Sequence, residues 1–185
     1  MYRLFIAIEL PHEIKERLRM ICCGLPGAKW FDEDQMHLTL RFIGEVDGGV
    51  MQDILGELAT VNAELFDVEL KGIGFFPPRQ APQQLWVGVE PNERLTRLHS
   101  RIEAALRKAG VEKESRKFHP HVTLARLKGV RSARIGDYLA AYSMFQAGPF
   151  TVTEFSLLSS VLGSKRAIHR IEADYPLTSE GVEDI

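Results

Sequence analysis

The pattern His-x-Thr-x occurs twice in the chain, as HLTL at residues 37–40 and as HVTL at residues 121–124. An imidazole has an unperturbed pKa of about 6.5, so His37 and His121 can serve as acid or base near neutral pH. The hydroxyls of Thr39 and Thr123 can donate hydrogen bonds to the non-bridging oxygens of a bound phosphate. One acid, one base and two fixed donors suit an in-line displacement at phosphorus, and this set of groups requires no metal ion.

Both motifs lie in apolar or alternating runs that are typical of β-strands. In a strand, residues two positions apart point to the same face. His37 and Thr39 therefore project together while the flanking leucines face a core, and His121 and Thr123 repeat this arrangement. A strand with polar residues facing water would look similar, but two matching copies favour one shared site.

Three other kinds of site fit the sequence less well. Zinc needs three or four ligands, and the motif neighbourhoods supply His37, His119 and His121 but no cysteine and no well-placed carboxylate. A serine or cysteine nucleophile lacks a GxSxG elbow. A P-loop and a GxGxxG motif are also absent from the sequence.

Composition indicates an ordinary globular protein with 45% hydrophobic and 26% charged residues. The sequence shows no signal-peptide pattern and no run of 18 uncharged apolar residues, and its two cysteines are adjacent. These features predict a cytoplasmic protein without a membrane span, a disulfide framework or a cofactor, and nothing demands more than a monomer.

Charge is distributed unevenly along the chain. The net charge is −2, yet residues 1–92 hold 8 Lys/Arg against 14 Asp/Glu, while residues 93–185 hold 15 against 11. A solvated surface is the default explanation. The alternative is a small anionic ligand near His121, because that motif is flanked by Arg107, Lys108, Lys113, Arg116, Lys117, Arg126, Lys128, Arg131 and Arg134.

Hydrophobic periodicity predicts the elements that carry the two motifs. A polar turn at residues 29–35 and a loop at residues 77–82 interrupt the first half. Strands are predicted at residues 2–10, 36–44, 66–76, 84–90, 121–127, 149–159 and 167–173, and helices at residues 11–23, 50–63, 92–109 and 132–144.

These elements form two similar series, at roughly residues 2–76 and 84–160. His37 and His121 are 84 residues apart, as are Phe66 and Phe150, which are predicted to open corresponding strands. Residues 4–11 align with residues 85–92 at an offset of 81. The pattern predicts a duplicated unit within a single domain spanning residues 1–185, with an approximate twofold axis that brings both motifs into one cleft.

The paired motifs, their contexts HLTLRFIGEV and FHPHVTLAR, and the N-terminal RLFIAIELP resemble the 2H phosphoesterase superfamily. The chain most resembles the RNA 2',3'-cyclic phosphodiesterases, also called 2'-5' RNA ligases. This resemblance implies a bilobal α+β fold in which each of two pseudo-twofold-related lobes has an antiparallel sheet and helices. It places the active site in the groove between the lobes, without metal, and implies hydrolysis of RNA or nucleotide 2',3'-cyclic phosphate ends to 2'-phosphates.

Carried over to this sequence, the resemblance makes His37 and His121 the catalytic pair, with His37 as acid and His121 as base. Thr39 and Thr123 become the phosphate donors. Phe42 and Arg126, each five residues after a motif histidine, become candidates to contact base and phosphate. Strict alternation turns both away from the site, so a bulge or a strand end must intervene.

Two alternatives to hydrolysis remain. A 2'-5' RNA ligase would use the same residues in the reverse direction, and a non-catalytic nucleotide-binding module would need no titratable pair.

Other residues carry weaker signals. The family tends to have tyrosine after the Ser160–Gly163 region, where this chain has His169, so the resemblance assigns no substrate contact to that segment. His119 is expected to be structural. His12 and His99 are expected on the surface, and Trp30 and Trp86 in the core.

Overall fold

The computed structural model describes residues 1–76 and 83–179, and the predicted loop at residues 77–82 lies outside the described residues. Four α-helices and nine strands occur in the described residues. The helices are α1 (His12–Ile21), α2 (Gly48–Leu58), α3 (Glu93–Lys108) and α4 (Ser132–Ala141). The strands are β1 (Tyr2–Glu9), β2 (Ala28–Trp30), β3 (His37–Val46), β4 (Phe66–Phe75), β5 (Gln84–Val89), β6 (His121–Leu127), β7 (Gln146–Val152), β8 (Glu154–Leu162) and β9 (Ala167–Pro176).

All nine strands form one antiparallel sheet with two lobes. The strand order is β7-β4-β5-β6-β3-β1-β8-β9, and β2 pairs with the far end of β6. The two motif strands, β3 and β6, meet at the centre through the pair Leu38 and Val122. On each side of this pair lie three further strands, so the order is symmetrical about the groove. The predicted bilobal α+β fold is confirmed.

The two halves of the chain exchange strands between the lobes. Strand β4 precedes β5 in sequence and pairs with it in the second lobe, whereas β8, late in the chain, pairs with β1 in the first lobe. The lobes are therefore interleaved along the chain. The chain therefore crosses between the lobes from β3 to β4 and again from β7 to β8.

The prediction of one strand at residues 149–159 is wrong. This region forms β7 and β8, which are separated at Thr153 and lie in different lobes of the sheet, β7 at its edge next to β4 and β8 between β1 and β9. Phe150 consequently lies within β7, next to Val68 of β4, rather than opening a strand equivalent to that of Phe66. Local hydrophobic pattern does not distinguish one long strand from two strands that share a sharp corner.

The predicted polar turn at residues 29–35 also contains more structure than expected. Residues Ala28–Trp30 form β2 on β6, and Glu33–Gln35 form a short 3-10 turn. Trp30 packs against Tyr138 of α4 at 5.9 Å between ring centroids, in agreement with its expected core position. Helix α2 begins earlier than predicted because the Asp47 side chain accepts a hydrogen bond from the Val50 amide.

The faces of the motif strands that turn away from the groove form the main core with the helices. Leu38, Leu40, Val122 and Leu124 are all buried, as alternation predicts. A buried hydroxyl, that of Tyr138 in α4, donates to the Ile21 carbonyl at the end of α1. No helix in residues 1–76 and 83–179 is long and apolar enough to cross a membrane.

Candidate active site

The pair Leu38 and Val122 determines how the two motifs meet. Because the strands are antiparallel, continuing this register by one residue places His37 beside Thr123 and Thr39 beside His121. All four polar side chains then share the face opposite the buried Leu38 and Val122. The structure brings the four predicted residues together, with each threonine next to the histidine of the other motif.

His37 is almost completely buried on this face, with 7% of its surface exposed. Its Nε2 lies 3.2 Å from Oε1 of Glu9, its cross-strand neighbour on β1. Burial alone raises the pKa of Glu9, but the hydrogen bond and charge of His37, together with nearby Lys15, outweigh burial and lower the pKa overall. An ionised Glu9 can therefore accept a hydrogen bond from Nε2 of His37 and hold its ring in one orientation.

His121 has a different environment. Its Nδ1 lies 2.6 Å from the carbonyl oxygen of His119, and a neutral ring that donates from Nδ1 keeps a free lone pair on Nε2. Burial lowers the pKa of His121, and the hydrogen bond to His119 offsets only part of this effect. His121 is thus suited to accept a proton near neutral pH.

His119 has the structural role that was expected from the sequence. It supplies the carbonyl that accepts from His121, and its ring packs against Trp86 at 4.8 Å. Trp86 lies opposite Thr123 and is only partly buried, so it lines the groove rather than the main core. The core prediction for Trp86 is wrong, because the repeat places this tryptophan on the groove face of β5.

A bulge at the same place in each motif strand turns Phe42 and Arg126 toward the groove. Thr39 pairs with Ala7, but Arg41 pairs with Ile6, so Leu40 is the extra residue. Phe42 then lies opposite Phe5, and its ring is 63% exposed and 5.9 Å from the Phe5 ring. The bulge supplies the geometry that strict alternation could not.

The second bulge falls at Leu124, between the pairs Thr123–Trp86 and Ala125–Leu85. Arg126 therefore lies opposite Gln84, whose Oε1 accepts a hydrogen bond from the Thr123 hydroxyl at 3.3 Å. The exposed guanidinium of Arg126 is 5.9 Å above the Phe31 ring. The groove is accordingly aromatic at Phe42 and cationic at Arg126.

Sequence reasoning missed Glu9 and Phe5. Both alternate with Ala7 on β1, and this spacing of two residues places them on one face, directly opposite the first motif strand. The ring centroids of Phe5 and His37 are 5.7 Å apart, and Phe5 forms a small separate apolar cluster with Ala7 and Leu158. A carboxylate directly after the apolar run of residues 4–8 was the available signal for Glu9.

Other polar groups lie apart from this arrangement. His99 of α3 stacks on Phe118 at 3.9 Å and is partly buried, so its predicted surface position is only partly correct. Burial raises the pKa of the Cys22 thiol to about 12. Within residues 1–76 and 83–179, no cluster of three or more His, Cys, Asp or Glu could hold a metal ion.

Comparison with known proteins adds to this geometry. The family model described as the 2'-5' RNA ligase superfamily matches residues 8–163. The chain belongs to this superfamily. The predicted membership in the 2H phosphoesterase superfamily is thereby confirmed.

Relatives in the superfamily cover most of the chain. A protein from Aeropyrum pernix named RNA 2',3'-cyclic phosphodiesterase is 35% identical over 160 residues, covering 85% of this chain and 90% of the relative. One of the same name from Archaeoglobus fulgidus is 30% identical over 171 residues, covering 91% and 96%. The crystal structure of E. coli LigT in apo form matches with a TM-score of 0.80 at 26% identity, covering 96% of this chain and 98% of that chain.

Proposed function

We propose that the chain is an RNA 2',3'-cyclic phosphodiesterase that converts 2',3'-cyclic phosphate ends of RNA or nucleotides to 2'-phosphates without a metal ion. One observation carries this proposal: two histidines with different hydrogen-bond partners flank one groove face, each beside a threonine. Relatives named for this activity, and E. coli LigT structures described as complexes with 3'-AMP and with phosphate, support it.

The environments of the two histidines support distinct roles. His121 keeps a free lone pair on Nε2 and a lowered pKa, so it acts as the base that takes a proton from water. His37, held by the carboxylate of Glu9, acts as the acid that protonates O3' as the P–O3' bond breaks. Water adds to phosphorus, the phosphate remains on O2', and the proton lost by water balances the one gained by O3'.

The remaining groove residues bind the substrate. The hydroxyls of Thr39 and Thr123 donate to the non-bridging phosphate oxygens, whose charge grows in the transition state. For Thr123 this donation replaces its hydrogen bond to Oε1 of Gln84, because a hydroxyl has a single proton to donate. Phe42 provides an exposed ring for the base, and Arg126 provides a cation for the phosphate. These groups and the histidines supply every proton transfer and charge contact that the reaction needs.

The duplicated unit is part of this proposal. We infer that residues 1–185 form one bilobal domain in which the approximate twofold axis passes near the pair Leu38 and Val122. Ligation of 2'-5' ends would use the same residues in reverse, and the carboxylate-held His37 favours either reaction over simple binding.

The test is product analysis. Incubation of an RNA with a 2',3'-cyclic phosphate end in excess EDTA should yield a 2'-phosphate. Absence of product both with and without EDTA would refute the proposed enzymatic activity. Loss of product only in EDTA would refute metal independence. A mixture of that RNA with a 5'-hydroxyl RNA separates the alternatives, because a joined product would identify a ligase.

Replacement of either motif threonine by alanine should lower kcat by about tenfold, less than loss of a histidine, because water can partly replace a hydroxyl. The matched variants Thr39→Ser and Thr123→Ser keep the hydroxyl and should remain within about twofold of wild type. Steady-state kinetics on adenosine 2',3'-cyclic phosphate measures this difference. Equal activity of the alanine and serine variants would remove the threonines from the mechanism.

Glu9→Gln should lower kcat by about 10- to 100-fold, because it removes a charged hydrogen-bond partner of His37. Glu9 is a positioning residue, so the pH profile should move as well. The alkaline limb should shift to lower pH, since a neutral amide stabilises the protonated ring less than a carboxylate does.

The control for this variant is Glu13→Gln, on the exposed side of α1, which should behave as wild type. A Glu9→Gln profile that is lower at every pH but unmoved along the pH axis would contradict the charge argument.

A further inference from the structure

The hairpin of β8 and β9 forms the outer edge of the first lobe. In its turn, the Arg166 guanidinium donates hydrogen bonds to Asp32 and, at 2.7 Å, to Asp34. These two aspartates lie just before β3, the strand that begins at His37. The hairpin turn is thereby attached to the segment that leads into the first motif.

This attachment places His169 against His37. His169 lies on β9 opposite Ser160, and its ring centroid is 5.0 Å from that of His37 and 4.9 Å from that of Phe5. Phe5 also contacts His37, so the three rings form one cluster on the groove face. His169, to which the sequence assigned no role, is therefore in contact with the proposed acid.

A second observation indicates that His169 does more than pack. Its Nδ1 is buried and has no hydrogen-bond partner among residues 1–76 and 83–179. Burying an unpaired polar atom costs free energy, which a phenylalanine at this position would avoid. That cost is offset where the other ring nitrogen, Nε2, binds a ligand in the groove, because a ligand cannot reach the buried Nδ1.

The protonation state of the ring limits what that ligand can be. Burial lowers the pKa of His169, the charge of His37 lowers it further, and Asp34 and Glu9 offset only part of this. A neutral imidazole has one N–H donor and one lone pair. It can therefore donate to an anionic oxygen without placing a second positive charge next to His37.

We propose that His169 is a substrate-binding residue whose ring N–H donates to an oxygen of the terminal phosphate, on the O3' side of the groove beside His37. This inference rests on the proposed function for the identity of the phosphate. It gives the third histidine a role in binding the phosphate end of the cyclic substrate and of the 2'-phosphate product.

Two substitutions separate binding from packing. His169→Phe keeps a ring against Phe5 and His37 but loses the donor, whereas His169→Gln keeps an amide N–H close to the position of Nε2 but loses the ring. Isothermal titration with adenosine 2'-monophosphate should show about tenfold weaker binding to the His169→Phe variant and binding within about threefold of wild type for His169→Gln. The exposed neighbour Ile168 provides a control, since Ile168→Ala should bind as wild type.

Thermal unfolding supplies the second readout. The His169→Phe variant should melt at or above the wild-type temperature, because it removes an unpaired buried polar atom. Wild-type affinity in His169→Phe, with weaker binding in His169→Gln, would show that the ring only packs and would overturn the proposal. Failure of the wild-type protein to bind the nucleotide would also overturn it.

The titration requires no turnover, so it separates this inference from the proposed function. A protein that binds the nucleotide through His169 but hydrolyses no cyclic end would refute only the hydrolase. A protein that hydrolyses the end while His169→Phe binds normally would refute only the role of His169.

Discussion

Replacing His37 or His121 with alanine is expected to lower kcat on a 2',3'-cyclic phosphate end by about 10²- to 10⁴-fold, the usual contribution of one general acid or base. The two losses should not multiply in the double variant, because the acid and the base act in one concerted step. The fold should survive each change, since both side chains lie on the groove face and not in the main core. Kinetics and near-ultraviolet circular dichroism of the three variants measure both effects.

The control is His12→Ala, an exposed histidine on α1 that should leave kcat unchanged. His119→Ala is the sharper comparison, because it keeps the carbonyl that accepts from His121 and removes only the ring. Its kcat should fall by less than tenfold. If either motif alanine variant keeps near-complete turnover, the acid–base pair is assigned wrongly.

The pH dependence of the wild-type protein follows from the same pair. The rate should rise with pH as His121 loses its proton. Burial lowers the pKa of His121, so this limb of the profile should lie below the usual imidazole pKa of about 6.5. It should fall again as the acid loses its proton, which gives a bell shape whose two apparent values belong to the coupled pair. This direction also supports His121 as base, because an acid with a lowered pKa would already be deprotonated at neutral pH.

Loss of the Arg41 charge should have the largest effect on stability. Arg41 follows the first motif, is 8% exposed, and donates to Glu103 of α3 and to the carbonyls of Phe42 and Glu112. Removing one partner of a buried ion pair leaves the other charge without compensation, at a cost of about 3 kcal/mol or more. Arg41→Met should therefore lower the free energy of unfolding by that amount in urea denaturation.

The double variant Arg41→Met/Glu103→Met should recover most of this loss, because it leaves no unpaired charge in the interior. The exposed pair of Lys71 and Glu90 is the control, and Lys71→Met should change stability by less than about 1 kcal/mol. A single variant Arg41→Met that unfolds at the wild-type urea concentration would show that the ion pair contributes nothing net.

Arg41 also connects the two motifs. Its contact with the Glu112 carbonyl holds the segment between α3 and β6, which has no regular structure and leads into His121. The bulge that turns Phe42 toward the groove turns Arg41 toward this interior network. A single extra residue in β3 thus serves both the groove and the connection beneath it.

Much of the site could be predicted from the sequence because its information is local. Alternation along a strand places His37 with Thr39 and His121 with Thr123 whatever surrounds them. The apolar residues between them had to be buried, and all of them are. The repeat of the whole pattern then required the two pairs to share one groove.

The rest depended on contacts between residues far apart in sequence. Hydrophobic periodicity cannot locate the bulges at Leu40 and Leu124, because they arise from the register with β1 and β5. It cannot separate β7 from β8, since only their different partner strands divide them. Nor can it place Glu9 or His169 beside His37, because β1 and the β8–β9 hairpin come from opposite ends of the chain.

The sequence by itself therefore determined the two His-Thr pairs, their strands and the groove that they share, because a period of two residues assigns faces locally. Only the tertiary structure decided what surrounds each histidine: a carboxylate and a second imidazole at His37, and a backbone carbonyl at His121. The physical reason is that two copies of one motif acquire different hydrogen-bond partners only from neighbours that folding brings to them.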